Sequence, residues 1–419
     1  MKITRLIRRA VGLLLLCAVI LNIAACSMRV SATDLMNGIT PNSVTELDDL
    51  TAGNANATDF ALRLINAANV DGENVLLSPL SVMCALAMTA NGADGETLRQ
   101  MEAVLGMSVE ELNLYLYSYL NSLAEGEKYK LRLANSIWFT DDERFTVNTD
   151  FLQTNADYFG ADIYKTPFNR QTLRDINNWV KSETDGAIPK VLEQIPPEAL
   201  MYLVNTLAFE AEWAAVYEER DMRDGIFTTE QGEKREVELM FSSLYKYLED
   251  ENATGFIKYY KERKYAFVAL LPNEGVSVSD YLATLNGEKL AALIASPQSI
   301  EVKTYIPKFE SEYNVQMSSV LSDMGMKDAF DYTVADFSRL GSSSEGNVYI
   351  SKVIHKTYIR VDERGTKAGA VTVVEVGDAT SGPPEEYKVV RLDRPFVYML
   401  IDCENNLPFF IGTMMDVEG

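Results

Sequence analysis

Residues 352–370 read KVIHKTYIRVDERGTKAGA, and this stretch decides the fold. Its first part is dense in β-branched side chains and predicts a strand, within a candidate span of 348–361. At Glu363 the texture changes to small residues, and the following 363–377 reads ERGTKAGAVTVVEVG. Side chains alternate between the two faces of a strand. One face would then carry Thr366, Ala368, Ala370, Thr372, Val374 and Val376, all small or apolar and none charged. The other would carry Lys367, Gly369, Val371, Val373, Glu375 and Gly377, and with them both charges. A slip of one residue would bury Lys367 and Glu375, so the register is specified. No proline interrupts the run, as a central strand requires. On its own the alternation fits either a segment that can enter a sheet, with one face buried and one in water, or an ordinary surface strand or loop that alternates by accident.

Just upstream lies His355, the only histidine among 419 residues. A Ser-His or Cys-His catalytic pair would have to use it. It sits in a strand-like apolar setting that reads as core. The chain contains no GxSxG, HExxH, GxxxxGK[ST] or GxGxxG string. No carboxylate pair is singled out for acid–base work. These residues predict a protein that is not an enzyme and needs no cofactor or metal. The net charge of −23 argues against nucleic acid, because nothing offsets the phosphates. Its plain effect is solubility through self-repulsion, and a field favouring cationic partners is the alternative. Four cysteines occur, Cys17, Cys26, Cys84 and Cys403, with no CxxC pair. Cys84 and Cys403 lie in apolar stretches and read as buried thiols, with a disulfide between them left open.

The N-terminus reads as an address. Lys2, Arg5, Arg8 and Arg9 precede an apolar run over 10–21 and then the small-residue stretch IAAC ending at Cys26. Basic, apolar and small in that order is the layout of a secretory signal. The ending resembles a bacterial lipobox, which predicts removal of 1–25, lipid on Cys26 and anchoring to the outer face of the bacterial cell membrane. An ordinary signal, or an uncleaved anchor with an incidental cysteine, is the alternative. Each acyl CH₂ contributes about 0.8 kcal/mol to membrane binding, so two or more chains hold stably. Loss of the four basic residues takes the charge from −23 to −27. Residues 26–57 are polar and predict a flexible tether, with one continuous domain over 58–419.

Within that domain, 59–69, 81–91 and 173–183 show helical patterning, the second apolar almost all round. Pro79 after Ser78 marks a helix start. Strands are predicted over 131–139, 200–209, 265–271, 299–307, 348–361, 396–402 and 409–414. Helices lead and strands follow, which predicts an α+β fold.

Four segments in order resemble the serpin family. They are NVLLSPLSVMCALAMTANGADGETLRQM at 74–101, LVNTLAFEAEW at 203–213, the opening stretch at 352–370, and RPFVYMLIDCENNLPFFIG at 394–412. The resemblance implies three β-sheets, eight or nine helices and an exposed reactive loop at about 363–390. It implies a polar cluster where the central sheet opens, carried over to Ser78, Ser81, Asn205 and His355. It places Trp213 where the loop first inserts. It assigns the hinge to Glu363, Gly365, Thr366, Ala368, Gly369 and Ala370. Counting along the loop puts the scissile bond at Ala379-Thr380, and counting back from Pro383-Pro384 puts it at Thr380-Ser381. Either leaves a small residue before the cut and no Arg or Lys between Glu375 and Glu386. That favours elastase-like serine proteases as partners, with subtilisin-like proteases second. The implied activity is suicide trapping by a monomer. A non-inhibitory serpin is the alternative, and Lys367 and Val371 are the two hinge departures from the commoner family residues. Both fall on the solvent face.

Overall fold

The computed structural model describes residues 31–69, 72–123, 126–143, 145–196, 199–344, 346–366 and 387–417. Cys26, the hinge residues Ala368, Gly369 and Ala370, and the candidate reactive residues Ala379, Thr380 and Ser381 lie outside them.

Nine α-helices occur among the described residues: α1 (Thr51–Ala68), α2 (Pro79–Ala90), α3 (Gly95–Leu105), α4 (Val109–Ser122), α5 (Thr149–Phe159), α6 (Arg170–Glu183), α7 (Val278–Thr284), α8 (Gly287–Ala295) and α9 (Met317–Asp323). Helix α2 starts because Ser78 turns its side-chain oxygen to the Ser81 amide while Pro79 occupies the first turn. Every residue of α2 is buried, as its all-round apolar sequence predicts. Helix α6 is amphipathic and buries Ile176, Trp179 and Val180.

The largest sheet has seven strands in the order β1 (Thr33–Asp34), β5 (Asp162–Thr166), β3 (Tyr129–Thr140), β6 (Met201–Glu212), β16 (Gly365–Thr366), β15 (Lys352–Val361) and β13 (Phe309–Gln316). A second sheet runs β2 (Val75–Leu77), β19 (Leu407–Met414), β18 (Phe396–Asp402), β11 (Tyr265–Pro272), β10 (Ala253–Tyr259) and β9 (Tyr247–Glu249). A third runs β17 (Lys388–Arg391), β12 (Val302–Pro307), β8 (Lys234–Leu244) and β7 (Met222–Thr228). Strands β4 (Phe145–Val147) and β14 (Gly341–Ser343) form a two-stranded ribbon. The α+β architecture with three main sheets is as expected.

The large sheet is covered on both faces. Its inner side joins the main core with α1, α2 and the second sheet. Its outer side carries Trp138, Tyr202, Val204 and Ile354, which pack beneath Ile176, Trp179 and Val180 of α6. Strand β6 is therefore buried without a break from Met201 to Leu207, the pattern of a strand covered on two sides.

One expectation is corrected. The part of the predicted tether that the structure describes, 31–57, is docked rather than free, and the folded unit starts before residue 58. Ser31 donates from its hydroxyl to Asp175 of α6 at 2.7 Å. Strand β1 adds to the edge of β5. The Asn42 amide bonds Asp157 of α5 at 2.7 Å, and the Leu47 amide bonds Ser118 of α4 at 2.9 Å. Helix α1 already begins at Thr51. The short polar side chains that mimic a linker in composition face donors and acceptors on the neighbouring helices. The predicted strand at 348–361 also starts later, at Lys352.

Candidate functional site

The seam of the large sheet lies between β6 and β15. These two run parallel and pair directly only over Tyr202–Asn205 and Lys352–His355. That register sets His355 beside Asn205, while Asn135 of β3 faces Asn205 from the other side. Below them the turn into α2 brings up Ser78 and Ser81. Both serines, Asn205 and His355 are fully buried. The Ser78 amide donates to His355 Nε2 at 3.0 Å, which makes that nitrogen an acceptor. The ring proton therefore sits on Nδ1 and is donated to Asn205 Oδ1 at 2.7 Å. Ser81 Oγ donates to the same oxygen at 2.9 Å. The neutral imidazole satisfies both its nitrogens. A second proton would point Nε2–H at the Ser78 N–H, in a fully buried site. Burial accordingly pushes the imidazole down to about 3. The four residues assigned to one cluster are one cluster.

Satisfaction there is incomplete. Asn205 Nδ2, Asn135 Oδ1 and Thr206 Oγ1 are buried without a hydrogen-bond partner among the described residues. Each orphaned group costs about 1–3 kcal/mol in a closed interior. Parting the seam would hydrate them, so they lower the cost of opening at this place.

The upper end of the seam is built from the hinge. After β15 the Asp362 carboxylate accepts from the amides of Arg364 and Gly365, at 2.9 and 3.3 Å, and turns the chain back on itself. Strand β16 then wedges between β15 and β6, with Thr366 opposite both Val361 and Ala211 and antiparallel to each strand. Gly365 is required by close approach, because a Cβ there would lie 2.0 Å from the Ala211 carbonyl oxygen. Thr366 is buried, and its hydroxyl bonds the Tyr260 hydroxyl. The first member of the predicted inward face therefore does face inward. Trp213 clasps the turn: its ring N–H donates to the Asp362 carbonyl and its amide to the Arg364 carbonyl, both at 2.8 Å. The Tyr217 amide holds the Glu363 carbonyl at 2.9 Å, and the Glu363 side chain pairs with Lys308 at 3.0 Å.

Sequence reasoning missed Tyr260, Lys308, Tyr217 and Asn135, all in segments with no pattern that singles them out. Cys84 is buried and Cys403 half-buried, and both are free thiols. Among the described residues no cluster of His, Cys, Asp and Glu could hold a metal ion, and no helix is long and apolar enough to cross a membrane.

The serpin (serine protease inhibitor) family model matches residues 55–417. The chain belongs to the serpin family. Human serpin B9 is 31% identical over 379 residues, covering 86% of this chain and 98% of that protein. Horse leukocyte elastase inhibitor is 28% identical over 374 residues, covering 85% of this chain and 97% of its own. The crystal structure of the thermophilic serpin tengpin in its native state superposes with a TM-score of 0.88 at 49% identity, covering 92% of this chain and all of that one. Tengpin in its latent state gives 0.78 over 89% of this chain at the same identity. Serpins are generally serine protease inhibitors and do not catalyse reactions of their own.

Proposed function

We propose that this serpin is an inhibitor that traps serine proteases by inserting its cleaved loop into the large sheet. The two-residue wedge of β16 above a directly paired parallel seam carries this reading. A strand that continues from Thr366 replaces one short parallel ladder with two antiparallel ones, and antiparallel pairing is the better of the two per residue. The protease serine attacks the carbonyl of Ala379 or Thr380 and forms an acyl-enzyme, releasing the chain that follows as a free amine. Insertion then drags the acylated protease along the sheet. Deacylation stalls when the oxyanion donors leave hydrogen-bond reach. The serpin positions and pulls, and the chemistry belongs to the protease.

Small residues at both candidate bonds, together with the likeness to a leukocyte elastase inhibitor, favour elastase-like targets. The test is incubation with an elastase and, separately, with trypsin. We expect an SDS-stable covalent complex with elastase, none with trypsin, and release of a C-terminal peptide beginning at Thr380 or Ser381. Clean loop cleavage without a complex would overturn inhibition and place the chain with non-inhibitory serpins. The lipobox-like ending at Cys26 supports anchoring of the monomer to the outer face of a bacterial membrane. Cys26→Ala should then move the protein out of the membrane fraction.

A further inference from the structure

Lys258 on β10 is buried beneath the hinge clasp and forms no ion pair among the described residues. Its ammonium lies 4.2 Å from the centre of the Tyr217 ring and 5.1 Å from that of Trp213. It donates to the Ala215 carbonyl at 3.3 Å. One side chain thus touches three members of the 213–217 segment, whose amides at 213 and 217 hold the carbonyls of Arg364 and Glu363. Two π faces and one carbonyl are poor compensation for a cation taken out of water.

The groups around it do not make up the difference. Asp221, on the short turn before β7, is the one charge that favours the ammonium, and burial outweighs it. The phenols of Tyr217 and Tyr260 are both pushed up by burial and stay neutral, bonded to Ser242 and Thr366 respectively. Strand β11 presents Phe267 directly opposite Lys258. On the hinge itself, the Asp362 carboxylate is engaged by Arg360 and by backbone amides, and that of Glu363 by Lys308.

We propose that Lys258 is a positioning residue that couples uptake of a proton to the parting of the 213–217 segment, and so sets how readily the loop inserts. The proposal rests on the reading of this chain as a loop-inserting serpin. In the closed state burial pushes the amine down to about 7, against 10.5 in water. When the clasp parts and the amine is hydrated, it regains affinity for a proton. Between about pH 7 and 10.5 opening therefore takes up a proton, and it becomes harder as pH rises. Below pH 7 the amine is charged in both states and this dependence ends.

The test is annealing of a synthetic peptide of sequence 365–377 to the intact protein, followed by tryptophan fluorescence, with no protease present. We expect the rate to fall by about fivefold or more between pH 7 and pH 9, within the limit of tenfold per pH unit for one proton. Lys258→Met, a near-isosteric apolar change, should hold the rate at its slow alkaline value across that range. Lys258→Arg, which cannot deprotonate, should hold it at the fast value. A wild-type slope surviving in Lys258→Met overturns the proposal, even if the arginine variant fails to fold. A flat wild-type profile overturns it alone, whereas failure of the peptide to anneal at any pH overturns the loop-insertion reading as well.

Discussion

His355 looks at first like a lone catalytic candidate, and its two hydrogen bonds explain why it is not one. It accepts from the Ser78 amide and donates to Asn205, and the first of these bonds depends on the ring being neutral. In the unfolded chain an imidazole titrates near 6.5, so below that pH the unfolded state binds a proton the native state refuses. Stability is lost as pH falls from about 6.5 towards 3, by an amount on the order of several kcal/mol. Because His355 is the only histidine, its ring proton resonances can be followed without ambiguity. They should keep their neutral positions from pH 8 down to 5 in the native protein, and a native midpoint near 6.5 would contradict the cluster geometry. Lys258 acts in the opposite half of the scale, above pH 7. The histidine's role was legible only through the family resemblance. The lysine's was not legible at all, because the residues that make its setting unusual are Trp213, Ala215 and Tyr217, some forty positions away in sequence.

At the level of elements, the proposed insertion rests on β16 and its turn. The alternation of small and polar residues from Thr366 onward is visible in sequence, and the burial of Thr366 against Tyr260 agrees with it. Thr366→Arg should therefore turn inhibitor into substrate. The guanidinium would have to lie where Thr366 is already buried against Tyr260, with no charge to meet it, so the turn would be forced out of the sheet and insertion slowed enough for hydrolysis to outrun it. Gel analysis with elastase should show faster accumulation of cleaved protein and loss of the covalent band, and trapping at the wild-type level would remove the face assignment. The docked segment 31–50 marks the limit of the same kind of reading. Serines, asparagines and aspartates are equally suited to a free linker and to bonding along a helix surface. Only the approach of Asp157, Asp175 and Ser118 from α5, α6 and α4 decides between them.

For the whole molecule, the parallel contact of β6 with β15 and the unpaired polar atoms beside it describe a sheet that is closed but not at its most stable pairing. Cleavage of the loop should let the strand enter and convert the sheet to antiparallel pairing around it. Loop-cleaved protein should then melt at least about 15 °C above intact protein, and equal melting points would argue against a metastable native state. The α+β class, the places of the main strands along the chain and the members of the polar cluster were legible in the sequence. Those features follow from local periodicity, residue size and segment resemblance, all of which are written along one strand or helix at a time. Tertiary structure alone decided that 31–57 packs against the body, that the His355 proton sits on Nδ1, and that Lys258 lies in an aromatic clasp under the hinge. Each of these depends on desolvation and on partners brought from distant parts of the chain, and neither quantity exists until the chain has folded.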